Sequence, residues 1–413
     1  MSVASASMPP AREASASGGR PLAGLRVIEA GIALAGPFCG SLLADFGATV
    51  IKIERPDGGD PARLLGPRVN DVPLWWGVAA RDKLCVSLDL KAPADHDRFL
   101  QLVADADVLV ENYRPGVMER LGLNWETLCA LNPRLIMMSI SGFGRTGPDA
   151  KRPGFGKIAE GLSGIVPLTG HPDSTPLHVG FSLADTSAGL MGCLAINMAL
   201  LDRERNGGRG ARIDVGLYEP LLRMAELQFA LREKAGITPQ RTGSNDPYGW
   251  GAGSAQAGPA NAGNGEPGQP RRFVAASCRD GAEILVLVVT ASSDALARLC
   301  GLREPVSDVA AERIDETLRA WTAPLDVEAA GTRLRAAGIE AARIHDGRSL
   351  AQDPYFLARG DVVPATGTVA GPLSVPGRLP LRDGDGDGLP FHAASVGEHD
   401  RLVFPGAGNG AGA

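Results

Sequence analysis

Short, dense apolar runs alternate along this chain with longer stretches of helical spacing. "LRVIEA" (25–30), "TVIKIE" (49–54), "DVLVEN" (107–112) and "RLIMMSISGF" (134–143) are rich in Val and Ile, and each predicts a strand. Between the first two, "GPFCGSLLADFGA" has helical spacing and stops at Gly47. Strand, helix and strand within about 30 residues form a βαβ unit, which requires parallel strands. The later runs repeat the pattern, so residues 21–228 predict a large, Rossmann-like α/β domain.

Beyond it the pattern changes. Residues 243–270 form a Gly/Ala/Asn/Pro loop too long for an idle connection. A strand at 282–291 and helices near 293–301, 307–321 and 326–337 predict a smaller α/β domain over 229–335, with that loop at its start. Residues 336–405 read as a C-terminal return to the large domain, and 406–413 as a flexible tail. Residues 1–20, "MSVASASMPPAREASASGGR", predict a disordered N-terminal tail and lack the apolar centre of a signal peptide.

One run poses a chemical question. "GFSLADTSAGLMGCLAINMALL" (180–201) predicts an apolar helix whose one carboxylate, Asp185, stands near its start. Two readings are open. Ser182 and Asp185 form the S-x-x-D pattern of a capping box, and a first-turn acid complements the helix dipole. The same placement suits a nucleophile, because first-turn amides keep the carboxylate ionised and Ala184, Ser187, Ala188 and Gly189 admit a substrate.

Composition narrows the chemistry. Over 413 residues, 44% hydrophobic and 21% charged, the net charge is -6, which argues against nucleic acid or an anionic membrane as the main partner. Six cysteines are scattered singly without a C-x-x-C, so they read as free thiols in a reducing compartment, and the chain is expected to be cytoplasmic. There is no G-x-G-x-x-G after the first strand, no Walker motif, no H-E-x-x-H and no G-x-S-x-G. "DGDGDG" (383–388) has Ala394 where a calcium loop needs Glu, so it reads as a turn.

The motifs "PLAGLRVIEAGIALAGP", "LADFGATVIKIERPDGGDPAR", "LDLK", "VLVENYRPGVMERLGL", "NPRLIMMSISGFGRTGP", "SLADTSAG", "NGGRGARIDVGLYE", "DPYFLARG" and "VGEHDRLVF" follow one another from about Pro21 to about Phe404. In this order they resemble the family III CoA-transferases, the group that includes formyl-CoA transferase and carnitine CoA-transferase. The resemblance implies that Asp185 is the nucleophile, carrying mixed-anhydride and aspartyl-CoA thioester intermediates while CoA moves between carboxylic acids. It implies that Gly265 and Gly268, in "GNGEPGQP", supply amides to the developing oxyanion. For coenzyme A, the co-substrate, it implies Arg55, Leu88, Lys91, Asn112, Tyr113 and Arg120. It implies no metal or nucleotide, and an interlocked homodimer.

The chain also departs from the family. Many relatives carry Tyr-Asp and Gln-Ala where this sequence has Phe155-Gly156 and Glu160-Gly161, and formyl-CoA transferase has Gln where Leu34 stands. Formyl or oxalyl specificity is therefore open. Lys157 and Arg152 offer cations for a second carboxylate, which would make the acceptor dicarboxylic. Two alternatives stand beside the transferase. A 2-methylacyl-CoA racemase of the same fold needs a proton acceptor that Phe155 and Gly156 do not supply. A non-catalytic CoA-binding subunit of a hetero-oligomer would not need Asp185.

Overall fold

A computed structural model describes residues 20–243, 271–301, 311–367, 371–380 and 389–405. The chain divides into two units, one of residues 1–164, 179–224 and 354–413, the other of 165–178 and 225–353.

The larger unit is built on a six-stranded sheet. Its strands are β1 (Arg26–Glu29), β2 (Thr49–Glu54), β3 (Lys83–Ser87), β4 (Val108–Glu111), β5 (Ile136–Ser141) and β6 (Ala211–Gly216). They lie in the order β3-β2-β1-β4-β5-β6, and every pairing is parallel, with Val27 opposite both Val50 and Val108. This is the strand order of the doubly wound nucleotide-binding folds. The expected strands at 25–30, 49–54, 107–112 and 134–143 all form, the second over its full expected range and the other three trimmed at both ends. Two more, β3 and β6, escaped the periodicity. β3 carries a buried lysine and β6 alternates exposed and half-buried positions, so neither shows a solid apolar run.

Strands buried on both faces must be covered on both. Ile28, Ile51, Val86, Leu109 and Met137 pack with Phe99, Leu102 and Leu128 from α3 (Pro93–Ala104) and α5 (Trp125–Leu131). α1 (Ala35–Asp45) and α7 (Leu183–Arg205) lie against each other and contact the sheet. Between them in the chain come α2 (Leu74–Ala79), α4 (Val117–Arg120) and α6 (Gly156–Leu162). The C-terminus seals the exposed edge of the sheet. His399 Nδ1 accepts from Cys85 N at 3.1 Å, and Asp400 Oδ1 from Ser87 N at 2.8 Å, occupying edge donors of β3.

The smaller unit holds β7 (Arg271–Ser277), β8 (Glu283–Val289) and β9 (Ala341–Ile344) in the order β9-β8-β7. Both pairings are antiparallel, so among the described residues this sheet contains no βαβ step. Helices Thr290–Cys300, Ala311–Thr322 and Val327–Ala336 complete its core around Val274, Ile284, Val286, Leu296, Leu318 and Leu334. The expected break between 335 and 336 falls inside this unit, because β9 pairs with β8, and the return to the larger unit begins at Pro354. Residues 165–178, expected in the large domain, also group with the smaller unit.

Candidate active site

Five of the six expected CoA residues meet in one place. Arg55, Leu88, Lys91, Tyr113 and Arg120 line a cavity of about 730 Å³, together with Ile32, Asp60 and Leu121. The sheet explains the convergence. Arg55 follows β2, Leu88 follows β3 and Tyr113 follows β4, all at carboxyl ends of strands. Ligands of such sheets bind outside those ends, where the strand order reverses. Here the reversal lies between β1 and β4.

Asn112, the sixth residue, does not line the cavity but builds its rim. Its side chain accepts from Ile32 N at 2.6 Å and donates to Ile32 O at 2.8 Å, tying the loop after β1 to the end of β4 across the reversal. The loop is tight: a Cβ on Gly31 would stand 3.0 Å from Gly36 Cα and 3.2 Å from Asn112 Oδ1. Tyr113 is set by its own N–H, which donates to Glu111 Oε2 at 2.8 Å, and burial pushes its phenol above the usual range. Arg55, Lys91 and Arg120 bring cations to the cavity, suited to phosphates, while Leu88 and Leu121 bring apolar surface.

Beneath this floor runs an ionic cluster that sequence reasoning missed. Lys52 Nζ lies 2.6 Å from Asp60 Oδ2 and 3.2 Å from Glu29 Oε1, and Lys83 Nζ lies 2.7 Å from Glu29 Oε2. Glu54 takes Arg63 bidentately, at 2.7 Å twice. Asp60 Oδ1 accepts from Ala33 N at 2.9 Å and Ala62 N at 2.8 Å, so the cluster also shapes the loop before α1. Burial alone would raise the Asp60 carboxyl, but the Lys52 charge and these amides hold it below the usual range. The signal was present in "TVIKIE", whose Lys52 and Glu54 occupy a strand with no solvated face.

Asp185 opens α7, and the capping box does not form: the Ser182 side chain makes no cap hydrogen bond. The backbone N–H of Asp185 favours its ionised carboxylate, but only in part. It rests against the start of α6, where a Cβ on Gly156 would stand only 2.1 Å from Asp185 Oδ2. Burial first, then the negative charge of Glu160, push its carboxyl up to about 6. Further along α7, Gly189 lets the helix close on α1, since its Cβ would meet Ala35 O at 2.9 Å. Ala35 follows directly on the loop that carries Ile32 into the cavity.

Lys157 is not a waiting cation. Its Nζ lies 3.0 Å from each Glu160 carboxylate oxygen, 2.9 Å from Val179 O and 2.7 Å from Phe181 O. The expectation that it receives a substrate carboxylate gives way to this internal role. Arg152 stands more in the open, 3.3 Å from Asp149 and over the Phe143 ring. Gly265 and Gly268 lie outside the described residues, as does "DGDGDG" (383–388).

A Rossmann-type sheet, a cavity with three cations at its switch point and a half-buried carboxylate in the first turn of a helix suit an enzyme that binds a phosphorylated ligand. A family model described as CoA-transferase family III matches residues 22–399, and the chain belongs to that family. It is a CoA-transferase acting on carboxylic acids. Among curated relatives, succinyl-CoA--D-citramalate CoA-transferase of Chloroflexus aurantiacus is 34% identical over 400 residues, 93% of each chain. Acetyl-CoA:oxalate CoA-transferase of Acetobacter aceti is 46% identical over 231 residues, 55% of this chain and 59% of that one. Among solved structures, a CAIB/BAIF family protein from Brucella suis aligns at TM-score 0.77 and 30% identity, covering 93% of this chain and 98% of that one.

Proposed function

We propose that Asp185 carries the acyl group and then CoA, and that the acceptor is a short dicarboxylic acid. The observation behind the first part is the carboxylate itself: it opens a helix it does not cap, against a glycine, with no ion-pair partner recorded among the described residues. In the first step a carboxylate oxygen of Asp185 attacks the donor thioester carbonyl, the C–S bond breaks and CoA leaves as thiolate. The thiolate then attacks the aspartyl carbonyl of the mixed anhydride, releasing the donor acid and leaving an aspartyl-CoA thioester. The acceptor carboxylate attacks that thioester, and the same steps run in reverse. Bonds exchange in pairs, without redox change. Both acids are ionised at neutral pH, so no general base is required.

The dicarboxylic reading is supported by relatives whose names specify citramalate and oxalate as substrates. With Lys157 committed to Glu160, Arg152 is the cation of the two that is left for the second carboxylate. A homodimer, interlocked as the resemblance implies, is part of the same proposal. Its support is α7, whose Leu190, Leu194, Met198 and Leu201 are each more than half exposed, while small residues face inward.

The test is intact-protein mass spectrometry after incubation with succinyl-CoA, acetyl-CoA and oxalyl-CoA, with hydroxylamine used to trap the adduct. A hydroxamate on Asp185, and no exchange by Asp185→Ala, are expected; exchange at the wild-type rate by that variant overturns the carrier role. Gly156, packed on Asp185, has no proton to give. Deuterium entering the α-carbon of a 2-methylacyl-CoA without CoA exchange would replace the transferase reading with a racemase.

A further inference from the structure

We infer that Lys157 and Glu160 are positioning residues for the reaction, an opposed charge pair on α6 that anchors the first turn of α7 and flanks its carboxylate. The inference rests on the reading of Asp185 as carrier and deepens it.

The geometry has two halves. Lys157 binds the carbonyls of Val179 and Phe181, the residues leading into α7, so it ties α6 to the segment that aims Asp185. Its four oxygen contacts exceed the three protons of an ammonium, so the group is fully used. Glu160, 1% exposed, lies one helical turn beyond Gly156. Residues four apart share a helix face. Gly156 abuts the Asp185 carboxylate, so Glu160 presents a second carboxylate from the same face. A buried anion costs several kcal/mol unless paired, and Lys157 supplies the pair.

The pair therefore works on Asp185 in two senses. Burial is the first cause of the raised Asp185 carboxyl; Glu160 adds to it by opposing ionisation, and Lys157 offsets part of it by favouring ionisation. Other elements packed on α7 bring charges that are engaged elsewhere. On α1, Asp45 bonds Arg81. On β6, Asp214 accepts from Arg145 N and Arg212 lies near Glu119. On the helix Glu219–Met224, Glu219 accepts from Gly216 N, and Arg223 sits toward its far end. β5 carries no charged residue.

A rate profile across pH, read on single-turnover adduct formation with the wild-type chain and three variants, tests this. Glu160→Gln, nearly isosteric, is expected to move the acid limb of the profile down by about one pH unit. Lys157→Met is expected to move it up and to slow the plateau rate, with Lys157→Arg restoring most of that rate. Opposite displacements support the pair. Limbs that stay at the wild-type position, or that move together, overturn it. Should Lys157→Met fail to fold, Glu160→Gln alone decides by the same limb. Failure of the carrier reading has a separate signature: Asp185→Ala would keep its activity. An inactive Asp185→Ala beside unmoved limbs overturns only the role of Lys157 and Glu160.

Discussion

At the scale of single residues, the place of Asp185 in the fold has an electrostatic cost. Asp185 is raised from 3.8 to about 6, burial being the first cause. The folded state thus binds its proton more tightly than the unfolded state. Its contribution to stability is fully present below the unfolded value and is lost as pH rises through about 6. Asp185→Asn removes that loss. Denaturant melts should show the variant more stable than wild type at pH 8 by on the order of 2 kcal/mol, and equal to it below about pH 4. Equal stability at both pH values would mean the carboxylate is better solvated than the structure shows. Asp185 was legible as a candidate from its isolation in an apolar run. What rejected the capping box was the Ser182 side chain, whose failure to cap no spacing rule reveals.

Among elements, the pairing of α1 with α7 controls the site. α7 turns small residues inward, with Ala184, Ser187, Ala188, Gly189 and Gly192 buried, and this lets two helices approach backbone to side chain. A Cβ on Gly189 would also stand 2.9 Å from Phe38 Cδ1. Gly189→Val is expected to destabilise the fold by about 1–3 kcal/mol through overpacking, read by chemical denaturation. An unchanged midpoint would show that α1 can yield. Strands behaved differently from helices under sequence reading. Four parallel strands announced themselves as apolar runs because both their faces are buried. β3 did not, since its Lys83 is buried against Glu29, a partner distant in the chain.

For the molecule as a whole, the outer face of α7 is the feature that bears on assembly. Leu190, Leu194, Met198 and Leu201 recur at helical spacing and remain exposed, which is the reverse of the usual amphipathic arrangement. The helix is also long and apolar enough to cross a membrane by length and composition, but its small-residue face is packed against protein. If a second copy covers the outer face, light scattering on the wild-type chain should give twice the chain mass. Leu194→Glu with Met198→Glu should then lower that mass or leave the protein insoluble. A monodisperse, single-chain mass for the wild type would remove the homodimer from the proposal.

Apolar periodicity by itself determined four strands of the parallel sheet, and the order of motifs, through the family resemblance, pointed to five residues that line the cavity. These properties are written locally, in runs of a few residues and in the loops at strand ends. Only the tertiary structure decided that the strand order reverses between β1 and β4, that Lys157 is spent on Glu160, and that α7 keeps its large side chains outside. Each of these depends on which distant element supplies a charge or a surface. An apolar helix, or a lysine on a short helix such as α6, carries no mark of its partner until the chain has folded.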